Sequence, residues 1–97
     1  MNSKLKDGHM DELFTGILSL QSVEECYNFF EDLCTINELR AMAQRFQVAK
    51  MLDHGQIYSD IVHETGASTA TISRVNKCLI YGTDGYRTVL DRLKQEE

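Results

Sequence analysis

The chain has 97 residues, a formal net charge of −5 and a hydrophobic content of 42%, and it contains no proline. This length suits one small domain, and the hydrophobic content is that of a globular protein rather than a disordered one. A core built from so short a chain is thin, so oligomerisation is expected to supply further burial. The negative net charge argues against a protein that binds nucleic acid through bulk positive charge alone.

The charge is unevenly distributed along the sequence. Residues 1–34 hold seven acidic residues against two lysines, whereas residues 35–97 hold eight acidic and eight basic residues. Two stretches, 39–52 and 65–83, carry basic residues and no acidic one. Their basic residues are Arg40, Arg45, Lys50, Arg74 and Lys77. We therefore expect weak non-specific attraction to DNA and a need for two DNA-binding surfaces per site.

Several classes of site have no support in the sequence. The three cysteines form no short paired motif and no signal peptide is evident, so a reducing cytoplasm is the expected location. The three histidines share no metal-ligand spacing with the cysteines. Glycine-rich phosphate loops, nucleophile motifs and membrane-spanning apolar runs are also lacking. The expectation is a cytoplasmic protein that is not an enzyme and that uses no metal, cofactor or membrane.

Helical periodicity runs through the chain, and strand-like alternation is nearly absent. The first helix is predicted over 11–20, the second over 23–34 and the third over about 35–52. The second and third begin with capping-box signals at Ser22 and Thr35. The residues expected on the buried faces of these helices are Leu13, Phe14, Ile17, Leu18, Val23, Cys26, Tyr27, Phe30, Leu33, Leu39, Met42, Ala43, Phe46, Ala49, and Met51 or Leu52.

Residues 58–81 form the most informative segment, because they predict two short helices joined at Gly66. Glycine allows the left-handed backbone that ends a helix, and Ser68 or Thr69 can cap the next one. The residues expected to face one another inside the pair are Ile61, Ala67, Ile72 and Val75. The residues expected to point outward are Thr69, Ala70, Ser73, Arg74 and Lys77. This is how a helix-turn-helix presents a recognition helix to the DNA major groove.

The helix pair admits two interpretations, because two short helices around a glycine also occur in α-bundles that bind no DNA. Ala70 and its hydroxyl-bearing neighbours leave the helix start slim, so the backbone can approach base edges. Arg74 and Lys77 can reach guanine or phosphate. The alternative is a surface helix with solvated polar residues.

The third helix likewise admits two interpretations. Its Arg40, Arg45 and Lys50 lie either near phosphates or a small carboxylate, or on a solvated face that is ion-paired with Glu38 and Asp53.

The last part of the chain completes an all-α pattern. Residues 82–85 form a turn cluster, and a final helix over about 86–95 carries its apolar residues on one face. Those residues are Tyr86, Val89, Leu90 and Leu93. Six helices with short connections and no internal repeat predict one all-α domain over 1–97.

A specific run of residues connects this pattern with a known family. The run is Gly66-Ala67-Ser68-Thr69-Ala70-Thr71-Ile72-Ser73-Arg74, and it is accompanied by Thr35-Ile36-Asn37-Glu38, Arg45 before an apolar stripe, and Leu52 with Gly55. With these residues the chain resembles the Trp repressor family from Thr35 to about Leu93, in particular its YerC/YecD-type branch. The resemblance implies a six-helix, Trp-repressor-like fold with a helix-turn-helix, assembled as an intertwined homodimer.

The resemblance also implies how the parts of the chain are used. Residues of about 11–53 would form the dimerising helices, about 58–81 the helix-turn-helix and about 86–95 the C-terminal helix. The two recognition helices of the dimer would lie one DNA turn apart, about 34 Å, on a pseudo-palindromic operator. The residues predicted to bind DNA are Ser59, Ser68, Thr69, Ala70, Thr71, Ser73, Arg74 and Lys77. Lys50 is a further candidate for a phosphate contact.

The resemblance suggests an effector pocket as well. In Trp repressor the tryptophan lies between two arginines, which match Arg45 and Arg74, with a threonine that matches Thr35. Val75 stands where Trp repressor has a glycine, and Cys78 where it has a serine that helps with the amino group of the ligand. Two methyl groups in place of open space argue against an indole in that position. These five residues form a possible effector pocket whose small-molecule ligand is unknown.

The leading hypothesis is a sequence-specific transcriptional regulator, a repressor by occlusion, whose partners are double-stranded DNA and a second copy of the chain. Its homodimer would read the major groove with the helix over 69–81. The alternative is a helical protein–protein interaction module that retains the fold without DNA binding. Its acidic first third would then dock a basic protein.

Overall fold

In a computed structural model of the chain, residues 3–96 are described, and they form six α-helices and no strand. The helices are α1 (Gly8–Leu18), α2 (Val23–Leu33), α3 (Ile36–Asp53), α4 (Tyr58–Thr65), α5 (Thr69–Tyr81) and α6 (Gly85–Gln95). The predicted all-α class is confirmed. The chain divides into two compact units, the first ending at Ile36 and the second beginning at Asn37. Within the described range, no helix is long and apolar enough to cross a membrane.

Helix α1 begins earlier than predicted, at Gly8 instead of Asp11. The reason is a helix cap that the sequence pattern did not reveal. The side chain of Asp7 accepts a hydrogen bond from the Met10 amide at 2.7 Å and so satisfies one of the free donors of the first turn. The Gly8-His9-Met10 segment is therefore helical.

Helix α2 begins with the predicted capping box. The Glu25 amide donates to Ser22 Oγ at 3.1 Å. The Glu25 carboxylate accepts from the Gln21 amide at 2.8 Å, so it reaches back to the residue before the cap. Cys34 forms the C-cap, in agreement with the predicted end.

The predicted burial of the first two helices is wrong for the single chain. No described residue of α1 or α2 is buried, and Leu13 and Ile17 are half-buried. The large apolar side chains that were expected inside and are exposed are Phe14, Leu18, Val23, Tyr27 and Leu33. Two helices alone cannot enclose a side chain on all sides, so their apolar faces stay partly in water.

The second unit contains the core of the chain. It is formed by the C-terminal half of α3 together with α4, α5 and α6. Its buried members are Val48, Ala49, Met51, Ile61, Ala67, Ile72, Val75 and Leu90, and the half-buried Phe46, Leu52, Leu79 and Tyr86 pack against them. The helix pair thus rests on a common support of α3 and α6.

The predicted burial of α3 holds for its C-terminal half only. Ala49 and Met51 are buried as expected, whereas Met42 and Ala43 are exposed, and the completely buried Val48 was not predicted. Val48 and Met51 lie three residues apart on the face that meets the helix pair. Apolar periodicity predicts which side of a helix is buried, but it does not show how far along the helix the core extends.

An ion-pair cluster ties α6 to the end of α3. Asp53 is largely buried, and its carboxylate lies 2.6 Å from Lys94 Nζ and 2.8 Å from Arg87 Nη1. The hydrogen bonds from Lys94 and then Arg87 lower the pKa of the Asp53 carboxyl below its ordinary value, against the effect of burial. Because Arg87 lies near the start of α6 and Lys94 near its end, the whole helix is held in place.

Candidate nucleic-acid interface

The turn between α4 and α5 is fixed by hydrogen bonds around Gly66. Gly66 adopts the left-handed conformation at φ 72°, and its amide donates to the Val62 carbonyl at 2.9 Å. The Thr65 hydroxyl donates to the Ile61 carbonyl at 2.7 Å and accepts from the Ala67 amide at 3.1 Å. The chain therefore reverses direction with its backbone groups satisfied, as the sequence predicted for this glycine.

The start of α5 is capped by Ser68. The Thr71 amide donates to Ser68 Oγ at 3.1 Å, and the Ser68 hydroxyl donates to Thr71 Oγ1 at 3.0 Å. Both hydroxyl groups were predicted to lie at the DNA surface. Ser68 is exposed and Thr71 is half-buried, and the cap orients them together with the first turn of α5.

The two faces of the helix pair are as predicted. Ile61, Ala67, Ile72 and Val75 are buried, each with at most 2% of its surface exposed. The outward residues Thr69, Ala70, Ser73, Arg74 and Lys77 are all exposed, as is Ser59 in the first turn of α4. Their exposure makes them available to a partner, and their contacts with DNA stay a prediction.

Helix α5 presents positive charge and carries no negative charge of its own. Arg74 and Lys77 lie three positions apart and are exposed, and α5 contains no acidic residue. On α3, Arg45 is exposed and Lys50 is half-buried. Asp53, a predicted ion-pair partner for the basic residues of α3, instead pairs with Arg87 and Lys94 of α6.

Arg45 and Arg74 line a common cavity of about 300 Å³. The other lining residues are Val75, Cys78 and Tyr86. Four of the five residues predicted for an effector pocket are therefore brought together. The fifth, Thr35, belongs to the amino-terminal unit, and its role in a pocket stays a prediction. Both charged residues of the lining are arginines, so the cavity favours an anion.

Sequence reasoning missed two residues of this region. Tyr86 was assigned only to the apolar face of α6, yet it also lines the cavity, because the first turn of α6 lies beside α5. Gln44 on α3 donates from Nε2 to the Thr65 carbonyl at 3.1 Å. Neither arrangement leaves a signal in the sequence, since each joins helices that are distant along the chain. Among the described residues no cluster of His, Cys, Asp and Glu could hold a metal ion.

Comparison with known proteins gives a consistent assignment. The sequence model of the Trp repressor protein family matches residues 8–94. The chain belongs to the Trp repressor family. Across 94 residues it is 58% identical to the uncharacterized protein YerC of Bacillus subtilis (strain 168), covering 97% of this chain and 90% of that protein. The family assignment predicted from the 35–93 region thus extends over nearly the whole chain.

Solved structures of similar proteins support the fold. A TrpR-like protein from Eubacterium eligens ATCC 27750 superposes with a TM-score of 0.92 at 57% identity, covering 96% of both chains. A candidate Trp repressor from Staphylococcus aureus superposes with a TM-score of 0.90 at 54% identity, covering 94% of this chain and 91% of that one. The six-helix, Trp-repressor-like fold is therefore confirmed.

Proposed function

We propose that this chain is a sequence-specific DNA-binding transcriptional regulator that represses by occlusion and reads the major groove with α5. The observation that carries the proposal is the outward face of α5. The side chains on this face are short or positively charged, and they lie opposite the buried face of the same helix. The chain also belongs to the Trp repressor family. A slim, positively charged helix on a rigid support has the properties that entry into the groove requires.

The proposal assigns different roles to the exposed side chains. Thr69, Ala70, Ser73 and Lys77 approach base edges, with the alanine methyl suited to apolar contact with thymine. Ser59, Arg74 and Lys50 contact phosphates, which position the helix without specifying sequence. Ser68 and Thr71 lie at the DNA surface, where the Ser68 hydroxyl caps α5 and donates to Thr71 Oγ1. The net charge of −5 means that these local contacts, rather than bulk attraction, must provide affinity.

We propose that the active form is a homodimer. The amino-terminal unit exposes Leu18 at 85% and Val23 at 73% of their surfaces, and the second unit has an apolar groove of about 600 Å³ between α3, α5 and α6. A stable monomer seldom leaves so much apolar surface in water. A second copy would cover these surfaces and place two recognition helices about 34 Å apart.

Selection from a random duplex library tests the DNA-binding proposal. The wild-type protein is expected to enrich one pseudo-palindromic motif. The double variant Arg74→Ala/Lys77→Ala is expected to lose the gel shift on that motif at moderate salt, and the logarithmic salt dependence of binding should fall by about one for each phosphate that is no longer neutralised. Arg92→Ala, which removes a similar exposed charge from α6, is the matched control and should bind like wild type.

The alternative function predicts the opposite results. If the chain is a protein–protein interaction module, the library yields no motif and neither variant differs from wild type in DNA retention. The double variant would then still capture a basic protein through the acidic first third of the chain. Enrichment of no motif would argue strongly against the regulator.

We further propose that the Arg45–Arg74 cavity binds a small anionic effector other than tryptophan. Two guanidinium groups favour a carboxylate or phosphate, and Tyr86 offers an aromatic wall. Val75 is 2% exposed and fills space beside the arginines, at the position where Trp repressor has glycine. An effector can regulate DNA binding only if it binds the DNA-competent state with a different affinity.

Calorimetric titration with tryptophan is expected to give no saturable heat, because the two methyl groups of Val75 take the space that an indole needs. Val75→Gly is the matched variant, because it reopens that space. It should gain tryptophan binding if Arg45 and Arg74 are sufficient to hold the ligand. A saturable signal with the wild-type protein would contradict the steric argument.

A further inference from the structure

We infer that Gln44 is a positioning residue for the recognition helix, one that sets sequence-specific DNA affinity without touching DNA. The inference rests on the proposed DNA-binding function and adds a residue to it. Its basis is the hydrogen bond from Gln44 Nε2 to the Thr65 carbonyl, 3.1 Å long, which joins α3 to the last residue of α4. A carbonyl oxygen can only accept, so the amide nitrogen of Gln44 faces it.

Thr65 stabilises the turn through hydrogen bonds of both its carbonyl and its hydroxyl group. Its carbonyl is one of the last four of α4, which have no partner within the helix, so a donor from another helix completes it. Its hydroxyl group bridges Ile61 and Ala67 across the left-handed Gly66. Gln44 therefore holds a residue whose own hydrogen bonds help to set the direction in which α5 leaves the turn.

Gln44 lies on the face of α3 that meets the helix pair. Val48, four residues later and on the same side of the helix, is completely buried in the core with Ile61 and Ile72. Val48 supplies apolar packing, which fixes the distance between α3 and the pair but tolerates sliding. The hydrogen bond from Gln44 adds direction, because it weakens when donor and acceptor move out of line.

The short side chains of the DNA-facing surface make this position important. Thr69, Ala70 and Ser73 reach base edges only if the backbone of α5 comes close, so a small rotation of the helix takes them out of reach. Arg74, which the proposal assigns to a phosphate, has a long, flexible side chain that follows that phosphate through such a rotation. Removal of the Gln44 hydrogen bond should therefore reduce specific binding and spare non-specific binding.

The test compares Gln44→Met with Gln47→Met. Methionine keeps the length and approximate volume of glutamine and removes both donors, and Gln47 is an exposed glutamine on the same helix. Affinity is measured by fluorescence anisotropy on the duplex that the wild-type protein selects and on an unrelated duplex, over a range of salt concentrations. We expect Gln44→Met to bind the selected duplex about tenfold more weakly, which is the usual effect of disrupting recognition of roughly one base. Binding to the unrelated duplex, the salt slope and Gln47→Met should match wild type.

Two patterns would overturn the inference. Equal weakening on both duplexes would mean that Gln44 only stabilises the fold, since partial unfolding lowers all binding in proportion. Unchanged discrimination in Gln44→Met, or in Gln44→Asn, whose amide is one methylene too short to reach Thr65, would show that the hydrogen bond has no role in specificity. A wild-type protein that selects no duplex would contradict the proposed function itself, and this inference with it.

Discussion

Replacing Ala70 by glutamate is expected to weaken DNA binding by about a hundredfold on every sequence, because like-charge contacts at an interface cost several kcal/mol. Ala70 is exposed at the second position of α5, which the proposal places in the major groove at the base edges. The carboxylate would lie there between the two phosphate backbones, and a dimer would carry two such carboxylates. Binding measured by anisotropy should fall for the selected and the unrelated duplex alike.

The Ala70 variant is informative because its fold should be unaffected. Glutamate in the first turn of a helix interacts favourably with the helix dipole, and the side chain has open solvent around it. Gln95→Glu at the end of α6 is the matched control, since it changes the net charge by the same amount on an exposed site. If both variants bind DNA like the wild-type protein, α5 is not the DNA-facing helix.

Replacing Ile72 by alanine is expected to lower the free energy of unfolding by about 2–5 kcal/mol, the usual cost of removing a large buried side chain and leaving a cavity. Ile72 is completely buried on the inner face of α5 and belongs to the core formed with α3, α4 and α6. A domain of this size has a small stability reserve, so this decrease is a large part of it.

The measurement is urea denaturation followed by far-UV circular dichroism at a fixed protein concentration, because dimerisation makes stability depend on concentration. Ile80→Ala is the control on the same helix, since Ile80 is 60% exposed and its truncation should change stability little in the isolated chain. If the two variants lose a similar amount of unfolding free energy at high dilution, Ile72 does not lie on the buried face of α5.

Local chemistry along the sequence determined most of the helix pair. A glycine that ends one helix, a serine that caps the next, and apolar residues at helical spacing are sufficient to predict the turn at Gly66 and the buried Ile61 and Ile72. The outward position of Arg74 follows from the same periodicity. These features depend on neighbours within one or two helical turns, so the sequence contains them directly.

Contacts between helices were decided only by the tertiary structure. The sequence suggested Met42 as a core residue because it shares a helix face with the buried Ala49, but only the C-terminal half of α3 meets the core, where Val48 is also buried. The ion pairs of Asp53 with Arg87 and Lys94 connect residues more than thirty positions apart, and no local pattern predicts them. The start of α1 was misplaced for a smaller reason, a single aspartate cap at Asp7.

The outward face of α5 was thus determined by the sequence alone, through helical periodicity and the cap at Ser68. The orientation of that face, and the cavity behind it, were decided by the tertiary structure. Gln44 bonds to the turn and Tyr86 closes the cavity beside Arg74 because packing of α3, α5 and α6 brings them there. Such contacts depend on how helices cross, which is a property of the whole core and not of any one segment.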